Sequence, residues 1–516
     1  MLNFKSILLL IAALGAACSP APEPYDVLIL RGTVYDGSLA PGRVTNVAVK
    51  AGRIVSMEAR PDAAATTVID ARGKMVVPGF IDPHTHASRY LLDPETSANR
   101  NYLQQGVTTV FIGNDGAGLN NRDADVAQLE SQGTGTNVAF FSGHGTIRKS
   151  VMGMADRAAT EGEIEAMREH VAADMQAGAF GLSSGLYYAP GSYADTEEVI
   201  ELAKVATEYG GVYDTHMRSE GSYGDGLLAA VSEVIEIGAA ADIAVHISHI
   251  KALGQDVWGL SAEIVQLVEQ GIASGVAITA NQYPWRASGT RFSSALIPRW
   301  VMADSKAKMA QRLADPELQE QIRSEMRANM ARRGGADAML VTGPASPFVG
   351  MTLAEIAQAS GKDSLQAAID IALAGDPSIA SFVMRPDDIH RLAVQPWVMT
   401  GSDGGRGHPR LYGTYPKAFQ DFVVRNALLS REQFVHRSSG LVAETFGLCD
   451  RGFLREGFIA DIAVIDAKSF RSTASYEQPT ELASGVEALL VGGEMVLGPD
   501  YTGALPGRVL RKTACK

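Results

Sequence analysis

The chain has 516 residues and a formal net charge of −13. That length holds one large α/β barrel with a satellite domain, or several smaller domains. The acidic balance argues against nucleic acid as a partner, because phosphate binding needs clustered Lys and Arg, but a small anionic substrate needs only one or two local cations.

The first stretch reads as an address. A short start ending in Lys5 precedes an apolar run of 11 residues, Ile7 to Ala17, too short to span a bilayer. Ala16-Ala17-Cys18-Ser19 follows and resembles a bacterial lipoprotein cleavage site, with Cys18 as the lipidated first residue. Leu14 stands four residues before that Cys rather than the usual three, and a plain secretory signal cut near Ala17 is the alternative. Either way residues 1–18 are an export segment. Residues 19–24, with Pro20-Ala-Pro-Glu-Pro24, read as a stiff tether. Export to the periplasm, or to the periplasmic side of the outer membrane, would leave Cys449 and Cys515 as a candidate disulfide pair.

Residues 25–76 carry short strands punctuated by Gly and Asp, such as Asp26-Val-Leu-Ile-Leu30 and Asn46-Val-Ala-Val-Lys50. Similar strands recur within 446–500, notably Asp461-Ile-Ala-Val-Ile-Asp466. The two ends are expected to form one β-sandwich around a barrel at 77–445, with 501–516 as a C-terminal tail. The middle alternates strand candidates with helical patterns. The strands are Gly79–His86, Val107–Gly113, Asn137–Gly143, Phe180–Ser184, Gly211–His216, Ala244–His249, Ala277–Tyr283 and Trp397–Gly401. Helices are expected over Glu161–Ala177, Thr196–Tyr209, Leu227–Ala240 and Ser261–Ala273. Eight such units predict a (β/α)8 barrel of the TIM type. A charged helical insertion, about 290–390, follows strand seven and is placed to cover the catalytic face.

Polar residues cluster where the barrel strands end, which is where such barrels carry their chemistry. His84 and His86 lie two apart on a strand and share a face. Asp115 follows strand two, His216 ends strand five, His249 ends strand six and Asp403 ends strand eight. Neutral imidazoles with carboxylates suit Zn²⁺ or a similar ion. His144 and His246 read as polar groups satisfied inside the fold. Arg291, in Gly289-Thr-Arg-Phe-Ser293, reads as a solvated loop residue ahead of a reader of an acidic substrate side chain.

The constellation resembles the amidohydrolase superfamily, and within it the N-acyl-D-amino-acid deacylase (D-aminoacylase) family. The matching stretches run from Pro78-Gly-Phe-Ile-Asp-Pro-His-Thr-His86 through Ser184-Gly-Leu-Tyr-Tyr188, Thr215-His-Met-Arg-Ser-Glu220, Ile247-Ser-His-Ile-Lys251 and Gln282-Tyr283-Pro284 to Gly401-Ser-Asp-Gly404 and His408-Pro-Arg410. The resemblance implies a hydrolase with one or two zinc ions. It places His216 and His249 on the main ion, and His84, His86 and Asp403 at the second. It makes Asp403 the general base, and Tyr188, Lys251, Tyr283 and Arg410 the substrate holders. The family usually has Cys where this chain has Asp115. A carboxylate is a harder ligand able to bridge two ions, and so favours a binuclear site.

The implied reaction removes an N-acyl group, acetyl in the simplest case, from a D-amino acid with a free carboxylate. Bound zinc lowers the pKa of water to about 7, and Asp403 would take its proton. Two other readings stay open. One is another amidohydrolase acting on a dipeptide or cyclic amide, although the strand-four end Gly181-Leu-Ser-Ser184 lacks the Lys expected of hydantoinases. The other is a non-catalytic envelope binding lipoprotein, which a dead Asp115 site would favour.

Overall fold

A computed structural model describes residues 23–498, 500 and 503–515. The export segment and Cys18 lie outside the described residues. Among the described residues no helix is long and apolar enough to cross a membrane.

All eight expected barrel strands form, the fourth shifted by one residue and the others somewhat shorter than their sequence patterns. They are β1 (Phe80–Asp82), β2 (Val107–Ile112), β3 (Asn137–Phe140, resumed at Ser142–Gly143), β4 (Gly181–Gly185), β5 (Val212–His216), β6 (Ala244–Ile247), β7 (Ile278–Gln282) and β8 (Val398–Thr400). Every neighbouring pair is parallel. The ring closes where Thr85 bridges Gly404 and the Asp403 N–H donates to the His84 carbonyl at 2.9 Å. That closure sets strand one's histidines beside strand eight's aspartate.

Alternation along each strand sorts the barrel into layers. On β5, Val212 joins the apolar floor, Asp214 the middle layer and His216 the rim. The floor is aromatic: Phe111 lies 5.4 Å from Phe141, 5.3 Å from Phe180 and 4.7 Å from Phe446, ring centre to ring centre. Phe446 ends the helix Gly440–Phe446 and is fully buried. Removing so large a buried ring leaves a cavity, so Phe446→Ala should cost about 3–5 kcal/mol in denaturant unfolding. Bound metal per folded chain should not change, because the floor lies below the rim.

The chain ends meet in one continuous eight-stranded sheet rather than two separately bonded layers. Its order runs Glu494–Leu497, Val486–Val491, Ile462–Ile465, Met75–Pro78, Tyr25–Val34, Arg43–Lys50, Arg53–Ser56, with Ala65–Asp70 also paired to Tyr25–Val34. Tyr25–Val34 divides one edge between two parallel partners, Ala65–Asp70 and then Met75–Pro78. The sheet covers a core that includes Val27, Val49, Val76, Ile462, Val464 and Leu490.

Two expectations need correction. The insertion is not purely helical. It carries an antiparallel sheet of Ser288–Arg291, Ser378–Ser381 and Met339–Val341, with its own core around Phe292, Leu296, Met326 and Ile379. Segments of three or four residues are too short to show a two-residue period. Residues 506–510 are not a free tail either. Val509 bridges Val138, and the Leu510 N–H donates to the Val138 carbonyl, so this piece lines the start of β3. Beyond it, Cys515 is joined to Cys449 with Cα atoms 5.2 Å apart.

Candidate metal centre

The six residues singled out as ligands converge at the rim. His84, His86, Asp115 and Asp403 bring one donor atom each within 4.8 Å of one another, and so do Asp115, His216 and His249. Asp115 belongs to both groups. Its Oδ1 lies 3.4 Å from His84 Nε2, 3.5 Å from His249 Nε2 and 3.7 Å from His216 Nδ1, while Oδ2 lies 3.5 Å from His86 Nε2. Asp403 Oδ1 sits 3.1 Å from His86 Nε2.

The backbone is bent to achieve this. Asp115, His249 and Asp403 take positive φ values of 57°, 35° and 48°, in the left-handed region that costs a non-glycine residue about 1–3 kcal/mol. In each case the strand has just ended, and the turn swings the side chain inward. Gly116 completes the turn after β2, since a Cβ there would meet the Gly145 and Gly185 amides at 3.0 Å.

Below the rim the middle layer holds the ligands in register. Asp214 Oδ1 accepts from Ser248 at 2.9 Å, and Oδ2 accepts from Asn114 at 3.1 Å and Ser183 at 3.2 Å. Asn114 also donates to the Pro83 carbonyl at 3.0 Å, tying β1 to β5. Burial, with the charge of Asp115 above it, pushes Asp214 up to about 7. Burial alone would raise the Asp115 carboxyl, but the surrounding imidazoles hold it well below the usual carboxylate range. Burial pushes His84 down to about 4, leaving it neutral, the form that binds metal. Buried His84 Nε2 and Asp115 Oδ1 have no hydrogen-bond partner. Unsatisfied donor-ready atoms aimed at one point fit a divalent cation.

The remaining predicted residues line or back the same cavity, with changed partners. Lys251 is buried against Glu220, and its Nζ lies 2.7 Å from His249 Nδ1. Glu220 Oε1 is itself 2.8 Å from that nitrogen. Arg410 Nη1 pairs with Asp403 Oδ2 at 2.7 Å, and its guanidinium lies against Gly289 and over the Tyr283 ring. The Tyr283 hydroxyl points to Met384 sulfur at 3.8 Å. Tyr188 packs 4.7 Å from the His216 ring, but Tyr187 also approaches it, at 5.5 Å. Both adjacent tyrosines reach the site because they follow β4 in a turn, where the alternation of a strand does not hold. His246 accepts from Asn281 at 2.8 Å, and His144 bonds Glu198 at 2.8 Å; both are internal. Arg291 is exposed. The space left over the site is about 10 Å³, water-sized.

Glu220 has no assigned role in the sequence reading. Its signal is an acid four residues after a ligand histidine, in Thr215-His-Met-Arg-Ser-Glu220. Carboxylates that hold a ligating histidine typically change metal affinity 10–100-fold when altered. Glu220→Gln should therefore weaken metal binding by about that factor in a chelator competition, with the fold intact.

A barrel that gathers these ligands at its C-terminal rim is that of a metal-dependent hydrolase. The chain belongs to the amidohydrolase family, whose model matches residues 67–497. Among its relatives is the D-aminoacylase of Alcaligenes xylosoxydans xylosoxydans, 33% identical over 520 residues, covering 95% of this chain and 99% of the relative. The N-acyl-D-aspartate deacylase of the same organism is 32% identical, over 95% and 96%. The crystal structure of N-acyl-D-glutamate deacylase from Bordetella bronchiseptica, with zinc and a phosphonate inhibitor, superposes with a TM-score of 0.82 at 30% identity, over 95% of this chain and all of that one. A solved D-aminoacylase described with a binuclear metal centre gives 0.81 at 31% identity, with the same coverage.

Proposed function

We propose that this chain is a zinc-dependent deacylase that hydrolyses N-acyl-D-amino acids, acetyl being the simplest acyl group. The observation that carries the reading is Asp115 shared between two ligand groups, in a chain whose relatives are deacylases of this kind. His84, His86, Asp115 and Asp403 would hold one ion, and Asp115, His216 and His249 the other. When bound, the metal supplies Lewis acidity to the acyl carbonyl and acidifies water.

The chain's own residues do the rest. Asp403 Oδ2 is held by Arg410, which leaves Oδ1 toward the ligands to take a proton from water and pass it to the amide nitrogen. The C–N bond breaks as water oxygen joins the acyl carbon, giving a carboxylate and a free amine. Burial and nearby carboxylates push the Tyr188 phenol well above its ordinary value, so it stays protonated and can donate to the developing oxyanion. Lys251, Tyr283 and Arg410 form the wall for the substrate's α-carboxylate, since a guanidinium and an ammonium suit that group.

The test is metal content of protein purified without chelator, with hydrolysis of N-acetyl-D- and N-acetyl-L-amino acids on the same sample. One or two equivalents of zinc with D-selective turnover is expected. Metal-loaded protein inert on every acylated D-amino acid would discard the substrate. Metal-free protein inert after added zinc would move the reading to a binding lipoprotein.

We also propose an envelope location with Cys18 as a lipid anchor. The apolar run before Cys18 and the Cys449–Cys515 bond, of a kind that persists in oxidising compartments, support it. Cys18→Ala should move the protein from the membrane to the soluble fraction; unchanged fractionation, with no lipid label on wild type, would remove the anchor.

A further inference from the structure

A second cavity lies apart from the metal centre, and no residue lines both. Its volume is about 300 Å³, at the lower end of the range for small-molecule sites. Four separate segments build it. Trp285 and Arg286 follow β7, and Phe382 and Met384 follow the insertion's strand Ser378–Ser381. Lys417 lies on the helix Arg410–Ala418, and Tyr476 comes from the loop ahead of Val486–Val491. Tyr283 stands between the two cavities: its ring lies under Lys251 and Arg410, while its hydroxyl reaches Met384 sulfur at 3.8 Å.

The walls are aromatic and set edge to face. The Tyr476 ring centre lies 4.7 Å from that of Phe382, 5.9 Å from that of Trp285 and 5.1 Å from that of His408, at interplanar angles of 63°, 81° and 78°. Rings at such angles turn faces as well as edges to the space between them, and a flat ring can pair with either. Phe382 is 43% exposed, so a ligand here would cover apolar surface that now meets water. The two cations are unequally matched. Lys417 pairs with Asp421 at 2.7 Å and lies 5.1 Å from the Trp285 ring centre. Arg286 is exposed, and among the described residues it has no ion pair. Among those residues no carboxylate lines the cavity.

We infer that this cavity binds a flat aromatic ring system carrying one carboxylate, with the rings against Trp285, Phe382 and Tyr476 and the carboxylate on Arg286. A cavity of about 150 Å³ holds benzene, so twice that space takes a two-ring body with a short acidic arm. A guanidinium offers a carboxylate two parallel N–H donors. The ligand would also pack on the frame that carries Arg410. The Tyr476 hydroxyl lies 3.4 Å from His408 Nε2, and the Arg410 backbone N–H donates to His408 Nδ1 at 3.1 Å. Trp285 Nε1 donates to Thr414 Oγ1 at 3.1 Å, and that hydroxyl donates to the Arg410 carbonyl at 2.8 Å. The inference stands whether or not the chain is a deacylase, because no metal ligand takes part.

The test is a ligand-observed NMR titration of metal-loaded protein with three probes: indole-3-acetate, its neutral isostere indole-3-acetamide, and octanoate. Indole-3-acetate should bind saturably with a Kd of about 1 mM or below, as its size allows. The amide, which lacks the charge, and octanoate, which lacks the rings, should each bind about tenfold more weakly. Arg286→Gln should erase the preference for the acid over the amide, and Phe382→Ser should narrow the preference for the rings over the chain. Both replace exposed residues, so the unfolding midpoint should stay where it is in wild type. No saturable binding of indole-3-acetate below about 10 mM would overturn the inference. Binding that both variants leave unchanged would overturn it too, by placing the anion on the metal centre. Octanoate binding as tightly as indole-3-acetate would give the cavity to an aliphatic chain and overturn the aromatic assignment.

Discussion

Asp115→Ala should abolish loading of the ion held through His216 and His249, weaken the ion held through His84, His86 and Asp403, and lower kcat/KM by at least about 10³-fold, equivalent to about 4 kcal/mol of lost transition-state stabilisation. The expectation follows from sharing. Without Asp115 the second group is reduced to His216 and His249, two protein ligands where catalytic zinc sites ordinarily keep three. The first group keeps His84, His86 and Asp403 but loses the carboxylate that reaches both imidazoles, 3.4 Å from His84 Nε2 and 3.5 Å from His86 Nε2. The void is also electrostatic, because His84, His216 and His249 would face one another with no anion between them. Asp115→Cys separates ligand loss from backbone disturbance. A thiolate restores a single shared anion, so at least one zinc and turnover within about tenfold of wild type should return, with the balance of metals shifted toward softer ions. Elemental analysis and deacylase assays on the three proteins read both effects. Full metal and full turnover in Asp115→Ala would remove Asp115 from the site.

What the sequence discloses here depends on how local the geometry is. His84 and His86 are readable because parity along one strand places both on one face, and the barrel rule places that face at the rim. His216, the last residue of β5, follows the same logic, while His249 and Asp403 lie just past their strands in left-handed turns and are legible because a polar group at a strand end already falls at the rim. Asp115 is readable only against the family pattern, since a left-handed turn after β2, not strand parity, aims it. Glu220 escapes because its position depends on a contact between distant segments, a loop folded back onto His249. Tyr187 escapes for a related reason, since it follows β4 in a turn where strand alternation does not apply. The insertion's sheet and the strand-like 506–510 piece are too short for periodicity to declare them. Charge reveals even less. Lys251 and Arg410 look like free cations in the sequence, and only the fold shows that each already has an acid.

Asp403→Asn should lower kcat by about 10²- to 10⁴-fold, the usual worth of a positioned general acid or base, with KM changed little. Asn keeps the shape and still turns an amide oxygen or nitrogen toward Arg410, but it carries no charge and cannot take a proton. The group formed by Asp115, His216 and His249 does not include Asp403, so at least one equivalent of metal should remain. That separation of metal content from turnover distinguishes proton transfer from ligation. If Asp403 served only as a ligand, metal would be lost in proportion to activity, and raising the metal concentration in the assay would restore the rate. If it serves as the base, added metal restores nothing. Arg410 complicates the result in a predictable direction. In wild type its charge is matched by Asp403 at 2.7 Å; in Asp403→Asn it becomes a buried guanidinium without a carboxylate. Tighter binding of the substrate's own carboxylate should then offset any loss of ground-state contacts, so KM should hold steady or fall while kcat drops. A raised KM with kcat preserved would mean that Asp403 acts by orienting Arg410, not by moving the proton.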